Sequence, residues 1–475
     1  MKKIVTSTLQ QYLGRWQEHG SGPKHHRLAN ELRRLILDGR LALGLRIPSE
    51  RELADTLGVS RTLVTAALDQ LRQNGFLESR RGSGTLTTYP DWVDSRPTGH
   101  VPSDQPTMLD LSTATLGASE HVHSALTFAL ARLPFYLPGH GYSEFGIPEL
   151  RAAVAGYYTR SGLVTHPEEI LITAGAQSGF ALMLRTFGGP GRSVLMEQPT
   201  YPFAIDAVMQ SGCRARAIPL LPNDWDSTAL LEAVRKGGDC ITYLIPDHQN
   251  PTGLVMGAEL RSALSAQFKG TERFLVLDET MADLWLDQPP PRFSGRVDAA
   301  GIVRIGSVSK SYWGGLRIGW LRADRRVISA LARARASIDL GVSVLEQIAV
   351  VHLFNLGDQS LDNRRHTLRK MRKKALALVH EYLPDWTTIE PIGGLTMWLR
   401  MPKPIARQVS DWCLRNHLQV VPGSRFSVYG GLDSFMRLPF SRSEDDLRRG
   451  LQLLATAYST VGTKTKGHPQ NFGPY

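Results

Sequence analysis

The sequence predicts an α/β chain in two parts: a small N-terminal block of helices closed by a β-hairpin, then a larger domain on a mainly parallel sheet. Three observations carry this. Short helical stretches with cap signals fill residues 27–75. From about 108 to 460, runs rich in β-branched residues alternate with amphipathic stretches. Between them, residues 89–107 hold four prolines and no periodic pattern, which reads as a semi-extended linker. The expected division is 1–88, linker 89–107, 108–462 and a disordered tail over 463–475.

Taken in order, "RLANELRRLILDGRL" (27–41) places Leu28, Leu32, Leu35 and Ile36 at helical spacing, with Gly39 near its end. "PSERELADTLG" (48–58) begins with Ser49 as N-cap and Glu52 three residues on, a capping box, and stops at Gly58. Ser60 caps a third helix ending near Gly75, with Leu63, Val64, Ala67, Leu68 and Leu71 as its buried stripe. "FLESRRGSGTLTT" (76–88) alternates around Gly82 and Gly84, the signature of a hairpin with a flexible tip. In the larger part, "EILITAG", "SVLMEQP", "ITYLIP", "RFLVLDE" and "IVRIGS" are the expected strands.

Composition narrows the function classes. At 475 residues the chain is too long for one ordinary core. With 42% hydrophobic and 21% charged residues it is globular rather than disordered. No window approaches ~18 consecutive apolar residues, so no transmembrane helix is expected. The start, "MKKIVTSTLQQYLGRW", lacks an apolar signal core. Cys213, Cys240 and Cys413 are far apart and odd in number. They form neither a disulfide framework nor a metal-ligand spacing, are expected to be small core residues, and fit a reducing cytoplasm. The net charge is +11. Residues 1–90 carry 14 Lys and Arg against 8 Asp and Glu, an excess of six; the remaining 385 residues carry an excess of five. A positive charge concentrated in the smaller part attracts phosphate backbones.

Helix, tight turn, second helix and Gly-tipped hairpin make a winged helix-turn-helix. The helix from Ser60 is the one expected in the major groove of promoter DNA, with Ser60, Arg61, Thr62 and Thr65 as its first exposed positions. Arg51 suits a phosphate or base contact. Arg80, Arg81 and the tip Gly82-Ser83-Gly84 suit the backbone or minor groove, because glycine lets main-chain amides approach closely. The run "IPSERELADTLGVSRTLVTAALDQLRQNGFLESRRGSGTLT" resembles the GntR family over about 60 residues.

A second constellation lies in the larger part. "AGAQSG" (174–179) follows a strand and opens a helix, so Gly175, Ala176 and Gln177 form a candidate phosphate cradle at a helix N-terminus. Ser307 and Arg317 flank Lys310 in "SVSKSYWGGLRIG" and complete it, Arg317 offering paired charged donors. Asp278 ends the strand "FLVLD" and can pair with a protonated ring nitrogen. Asn250, in "PDHQNPTG", can donate to a ring hydroxyl, and Tyr201, in "EQPTYP", can lie against a ring face. Together these describe a cradle for pyridoxal 5′-phosphate (PLP), with Lys310 forming the Schiff base. Each residue also has an ordinary alternative: turn former, helix cap, core filler or salt-bridge partner.

This part resembles the fold-type I aminotransferases over about 350 residues. The resemblance implies a mainly parallel sheet with a smaller C-terminal α/β subdomain and assigns the cofactor residues above. It also matches Arg437, in "FMRLPF", to the arginine that pairs with a substrate α-carboxylate. Tyr142, in "GHGYSEFG", matches a tyrosine that reaches the phosphate of a neighbouring subunit, its spacing to the glycine being one residue shorter than the family pattern. One departure matters. Where the family places a tyrosine that bonds the cofactor's O3′ oxygen, "DETM" places Thr280 and Met281, and methionine cannot supply that bond. That leaves Asn250 unless Thr280 substitutes, and it argues against efficient transamination without arguing against PLP binding.

A GntR-type winged helix joined to such a domain resembles the MocR subfamily of bacterial transcription regulators over nearly the whole chain. This implies a cytoplasmic homodimer on promoter DNA, with PLP, or PLP plus an amino acid or amine, as effector. Two other readings stay open at this point: an aminotransferase with a DNA-binding appendage, and a DNA-binding protein with an inert large domain.

Overall fold

The computed structural model describes residues 4, 6–13, 16–18, 22–37, 41, 44–80, 84–88, 108–291 and 301–464. The chain separates into two compact units, Met1–Thr107 and Met108–Tyr475.

In the first unit, α1 (Thr6–Leu13), α2 (Lys24–Leu37), α3 (Glu50–Leu57) and α4 (Arg61–Gln73) precede an antiparallel pair, β1 (Leu77–Arg80) and β2 (Gly84–Thr87). α1 was not expected. Its Leu9 and Leu13, with Trp16 of the turn that follows, are buried against the others. α2 starts three residues before the expected boundary. α3 has the expected capping box, Ser49 accepting from Glu52 N and the Glu52 carboxylate from Ser49 N. It stops because Gly58 turns left-handed at φ 64°. Ser60 caps α4, accepting from Leu63 N at 3.2 Å. Val64, Ala67, Leu68 and Leu71 are buried as the 3.6-residue period requires, while Leu63 is half-buried. The wing strands pair from Leu77↔Thr87 to Arg80↔Gly84. Arg81, Gly82 and Ser83, the linker 89–107 and the tail from 465 lie outside the described residues.

In the second unit the strands are β3 (Leu109–Asp110), β4 (Ile170–Thr173), β5 (Ser193–Gln198), β6 (Arg214–Pro219), β7 (Asp239–Leu244), β8 (Phe274–Asp278), β9 (Ile302–Ser307), β10 (Gly319–Arg322), β11 (Thr396–Arg400), β12 (Leu418–Gln419), β13 (Val421–Pro422) and β14 (Phe435–Pro439). Seven form one sheet in the order β4-β10-β9-β8-β7-β5-β6, parallel except for β10, which runs against both neighbours. β4, β5, β8 and β9 are almost wholly buried, as strands covered on both faces must be. β6 and β10 were not anticipated: β6 is an edge strand of alternating exposure, and β10 is only four residues.

A smaller antiparallel sheet, β11-β14-β13, carries the C-terminal subdomain. Helices Asp362–Tyr382, Ala406–Arg415 and Glu444–Lys464 pack with it around Leu378, Met397, Val409, Leu438 and Leu451. The last helix runs through Lys464, so residues 463 and 464 are helical, not part of a tail. Parallel strands bring their carboxyl ends to one side of a sheet, and that places the site: the turn after β4, Asp278 ending β8 and the turn after β9 face one cavity.

Candidate functional site

All the predicted cofactor residues except Tyr142 line a single cavity of about 600 Å³, and Arg437 lines it with them. Gly175 caps the helix Ala176–Phe187 at φ 87°, a conformation that favours glycine. The first amides of that helix have no carbonyl of their own helix to bond. Gln177 donates its side-chain amide to Phe203 O at 2.9 Å, so its contribution to an anion site is its main chain. Arg317 stands beside this turn, its Nη2 donating to Ala174 O at 2.8 Å. The close fit needs Gly319: a Cβ there would lie 2.5 Å from the Gly175 carbonyl carbon. Ser307 borders the cavity, but its hydroxyl is engaged within its own turn, with Ile318 O and Ser309 Oγ as partners.

Lys310 sits in a π-helical turn, Ser309–Trp313, directly after β9. Its Nζ donates to Ala114 O at 2.8 Å. Burial, reinforced by the positive charge of Arg437 and opposed by Asp278, pushes the amine down to about 8. Asp278 is 7% exposed and makes no ion pair among the described residues. Its Oδ2 accepts from the Tyr243 hydroxyl at 2.6 Å, and its Oδ1 from Thr280 N and Oγ1 at 3.0 and 2.7 Å. Thr280 therefore supports Asp278 and does not replace the missing tyrosine. Met281 is buried, in the cavity wall and in the core of the C-terminal subdomain. Tyr243 was missed by the sequence reasoning; the available signal was a phenol in a strand otherwise made for full burial, where its hydroxyl must find a partner.

Arg437, on β14, donates to Asn250 Oδ1 at 3.2 Å and to Ser112 O. Its Nε is buried without a partner, and its guanidinium lies 5.0 Å from the centre of the Phe426 ring. Burial pushes it down to about 10, so it stays charged at neutral pH. Tyr201 lines the cavity, and burial raises its phenol to about 12. Tyr142 is 63% exposed, beside His140 and outside the cavity of its own chain. The segment Ser112–Ala114 and residues Phe426 and Arg425 also line the cavity and were not foreseen.

On the first unit, Ser60, Arg61, Thr62 and Arg51 are exposed, as a DNA-reading face requires. Arg51 lies 4.0 Å from Asp55 and Arg61 3.9 Å from Glu50. Thr65 departs from expectation. It is half-buried, and its hydroxyl lies 2.8 Å from Glu50 Oε2 and 3.0 Å from Arg61 O. It braces α4 against α3 instead of reaching outward. Glu50 also meets Arg72, which extends to Thr85 of the wing. Gly84 opens β2, where a Cβ would crowd the Arg46 guanidinium at 2.8 Å.

The two parts of the chain match two families. Residues 24–86 match the bacterial regulatory proteins of the gntR family, and residues 138–454 match aminotransferase class I and II. The pyridoxine biosynthesis transcriptional regulator PdxR of Corynebacterium glutamicum is 31% identical over 462 residues, covering 91% of this chain and 95% of its own. The probable rhizopine catabolism regulatory protein MocR of Rhizobium meliloti is 26% identical, covering 82% and 83%. The crystal structure of LysN, an α-aminoadipate aminotransferase from Thermus thermophilus complexed with N-(5′-phosphopyridoxyl)-L-leucine, superposes with a TM-score of 0.68 at 25% identity, covering 75% of this chain and 93% of that one. A winged DNA-binding unit fused to an aminotransferase fold defines a transcription regulator that uses an enzyme scaffold. The chain belongs to the MocR subfamily of GntR-type regulators. Among the described residues no helix is long and apolar enough to cross a membrane.

Proposed function

We propose that this regulator binds promoter DNA as a homodimer in the cytoplasm and takes PLP, alone or with an amino acid or amine, as its effector. The observation that carries the cofactor assignment is the buried carboxylate of Asp278, held by neutral donors and facing the same cavity as Lys310. A buried carboxylate of this kind suits a protonated ring nitrogen. The rest of the cavity fits the other ends of the molecule. The helix N-terminus at Gly175–Gln177 and Arg317 would hold the phosphate. Asn250 would donate to the ring hydroxyl and Tyr201 would lie on the ring. When bound, PLP offers an aldehyde to an amine and an electron-withdrawing ring. Lys310 supplies the amine, and its depressed pKa keeps a usable neutral fraction near neutral pH. Arg437, with its unpartnered Nε, would read a carboxylate on the amino compound. The exposed apolar stretch of Leu130, Phe135, Leu137 and Tyr142 supports pairing of two copies.

The test is absorbance and DNA binding on the full chain. Adding PLP should raise a band near ~420 nm that Lys310→Ala lacks. That variant should keep basal DNA binding and lose the PLP response. An unchanged response would mean that PLP acts without the covalent bond. A second reading, residual transamination, is favoured by the intact set Asn250, Asp278, Lys310 and Arg437. It is opposed by Met281 standing where the phenol would be. Sustained turnover of amino acids at ordinary enzyme rates would overturn the regulator-only assignment.

A further inference from the structure

One short segment holds Lys310 and Arg437, two of the three cations that would meet the ligand. Residues 109–114 begin on the C-terminal subdomain. β3 pairs in parallel with β12, with Leu109 N donating to His417 O and Leu111 N to Gln419 O, both at 2.8 Å. Leu111 is fully buried, and a Cβ on Gly450 would come within 2.3 Å of it. The Asp110 carboxylate turns back onto Ser112 N and Oγ at 2.7 and 2.6 Å. Arg442 ties the turn together, donating to Asp110 at 3.0 Å and to Thr113 O at 3.1 Å. Two carbonyls are thereby aimed into the cavity. Ser112 O takes Arg437, and Ala114 O takes Lys310 Nζ.

The ligand chemistry proposed above would compete with both hydrogen bonds, and with the Lys310 bond first. When the neutral Lys310 amine condenses with an aldehyde, a C=N bond forms and both amine hydrogens leave with the oxygen as water. The protonated product would carry one N–H, against three on the free ammonium. Ala114 O would then depend on a single hydrogen where it now has three to draw on. A carboxylate on Arg437 would compete with the Ser112 carbonyl for the guanidinium, since an ionised acceptor makes the stronger bond. The same backbone leads, through residues 89–107, from the DNA-binding unit.

We propose that Leu109–Ala114 is an autoinhibitory strap: its carbonyls hold Lys310 and Arg437, it is released when Lys310 engages the ligand aldehyde, and it so passes cavity occupancy to the linker. The strap rests on the assignment of PLP to this cavity, and its test separates the two. Hydrogen–deuterium exchange of the full-length protein is followed over residues 108–116, without ligand, with PLP and with pyridoxamine 5′-phosphate. The last has the same ring and phosphate but no aldehyde. PLP should speed exchange of the Leu111 and Ser112 amides by about tenfold or more, and pyridoxamine phosphate should leave them slow. Asp110→Asn and Arg442→Gln, which loosen the strap outside the cavity, should show fast exchange without ligand. Their DNA affinity should match that of PLP-loaded wild type, and their PLP absorbance band should be retained. If the band forms in wild type while exchange at these amides stays within about twofold of the ligand-free rate, the strap is wrong and the cofactor assignment stands. It is equally wrong if both variants bind DNA and respond to PLP as wild type does. If no band forms in wild type, the cofactor assignment itself falls.

Discussion

The pH dependence of PLP capture follows from where Lys310 sits. Only the neutral amine attacks an aldehyde. Burial beside Arg437 lowers Lys310 from 10.5 to about 8. At that value roughly 1% of the amine is neutral at pH 6, about half at pH 8 and about nine-tenths at pH 9. The capture rate should therefore rise about fifty-fold from pH 6 to 8 and less than about twofold from 8 to 9. An unshifted lysine would gain about tenfold over each unit of the whole range. The direction is fixed by desolvation, which penalises the charged form, so capture improves as pH rises and levels off above the shifted value. The assay is stopped-flow absorbance after mixing ligand-free protein with PLP. A simple alkylamine in the same buffers, its rate divided by its own neutral fraction, cancels the titration of PLP itself, and Lys310→Ala is the blank. A rise of about tenfold between pH 8 and 9 would refute the claim that burial sets the reactivity of Lys310.

Three further outcomes are expected. Arg61→Ala should abolish specific promoter binding in a gel-shift assay while leaving the PLP absorbance band intact; normal operator binding would mean that α4 is not the reading helix in this register. Tyr243→Phe removes the hydroxyl held 2.6 Å from the buried Asp278 and should lower unfolding free energy by about 1–3 kcal/mol in urea titrations; no loss would mean that the carboxylate is satisfied without it. Gly319→Ala should weaken PLP binding by at least about tenfold in absorbance titrations, because the added methyl meets the Gly175 main chain at 2.5 Å and opens the phosphate turn; unaltered affinity would place the phosphate elsewhere.

Much of this was legible in the sequence because it is local. β5, β8 and β9 read as strands since burial on both faces forces unbroken apolar runs. α3 and α4 announced themselves through Ser49, Glu52 and Ser60, whose capping bonds span three residues. Gly175, Asn250, Asp278, Lys310 and Arg317 each sit in a short run that fixes chain direction next to a strand end. What stayed hidden depends on distant partners. Ala114 reaches Lys310 across 196 positions through a carbonyl, a group every residue carries and no sequence pattern marks. Thr65 was placed outward by helical period alone, and only Glu50 of the preceding helix turns its hydroxyl inward. Thr280 was an open substitute for the missing phenol until its hydroxyl was found on Asp278.

The alternating exposure of β6 has a consequence for a protein that gathers on DNA. It is one of the two outer strands of the seven-stranded sheet, and an outer strand can offer unpaired main-chain groups to a neighbouring chain. Arg216 on it is paired with Asp239 at 2.8 Å, Ala217 N donates to the Tyr429 hydroxyl at 3.1 Å, and Pro219 ends it without an amide hydrogen to lend. A second copy meeting this edge would find the Ala217 amide engaged and no amide hydrogen at Pro219. An edge so occupied is a poor template for joining one sheet to another.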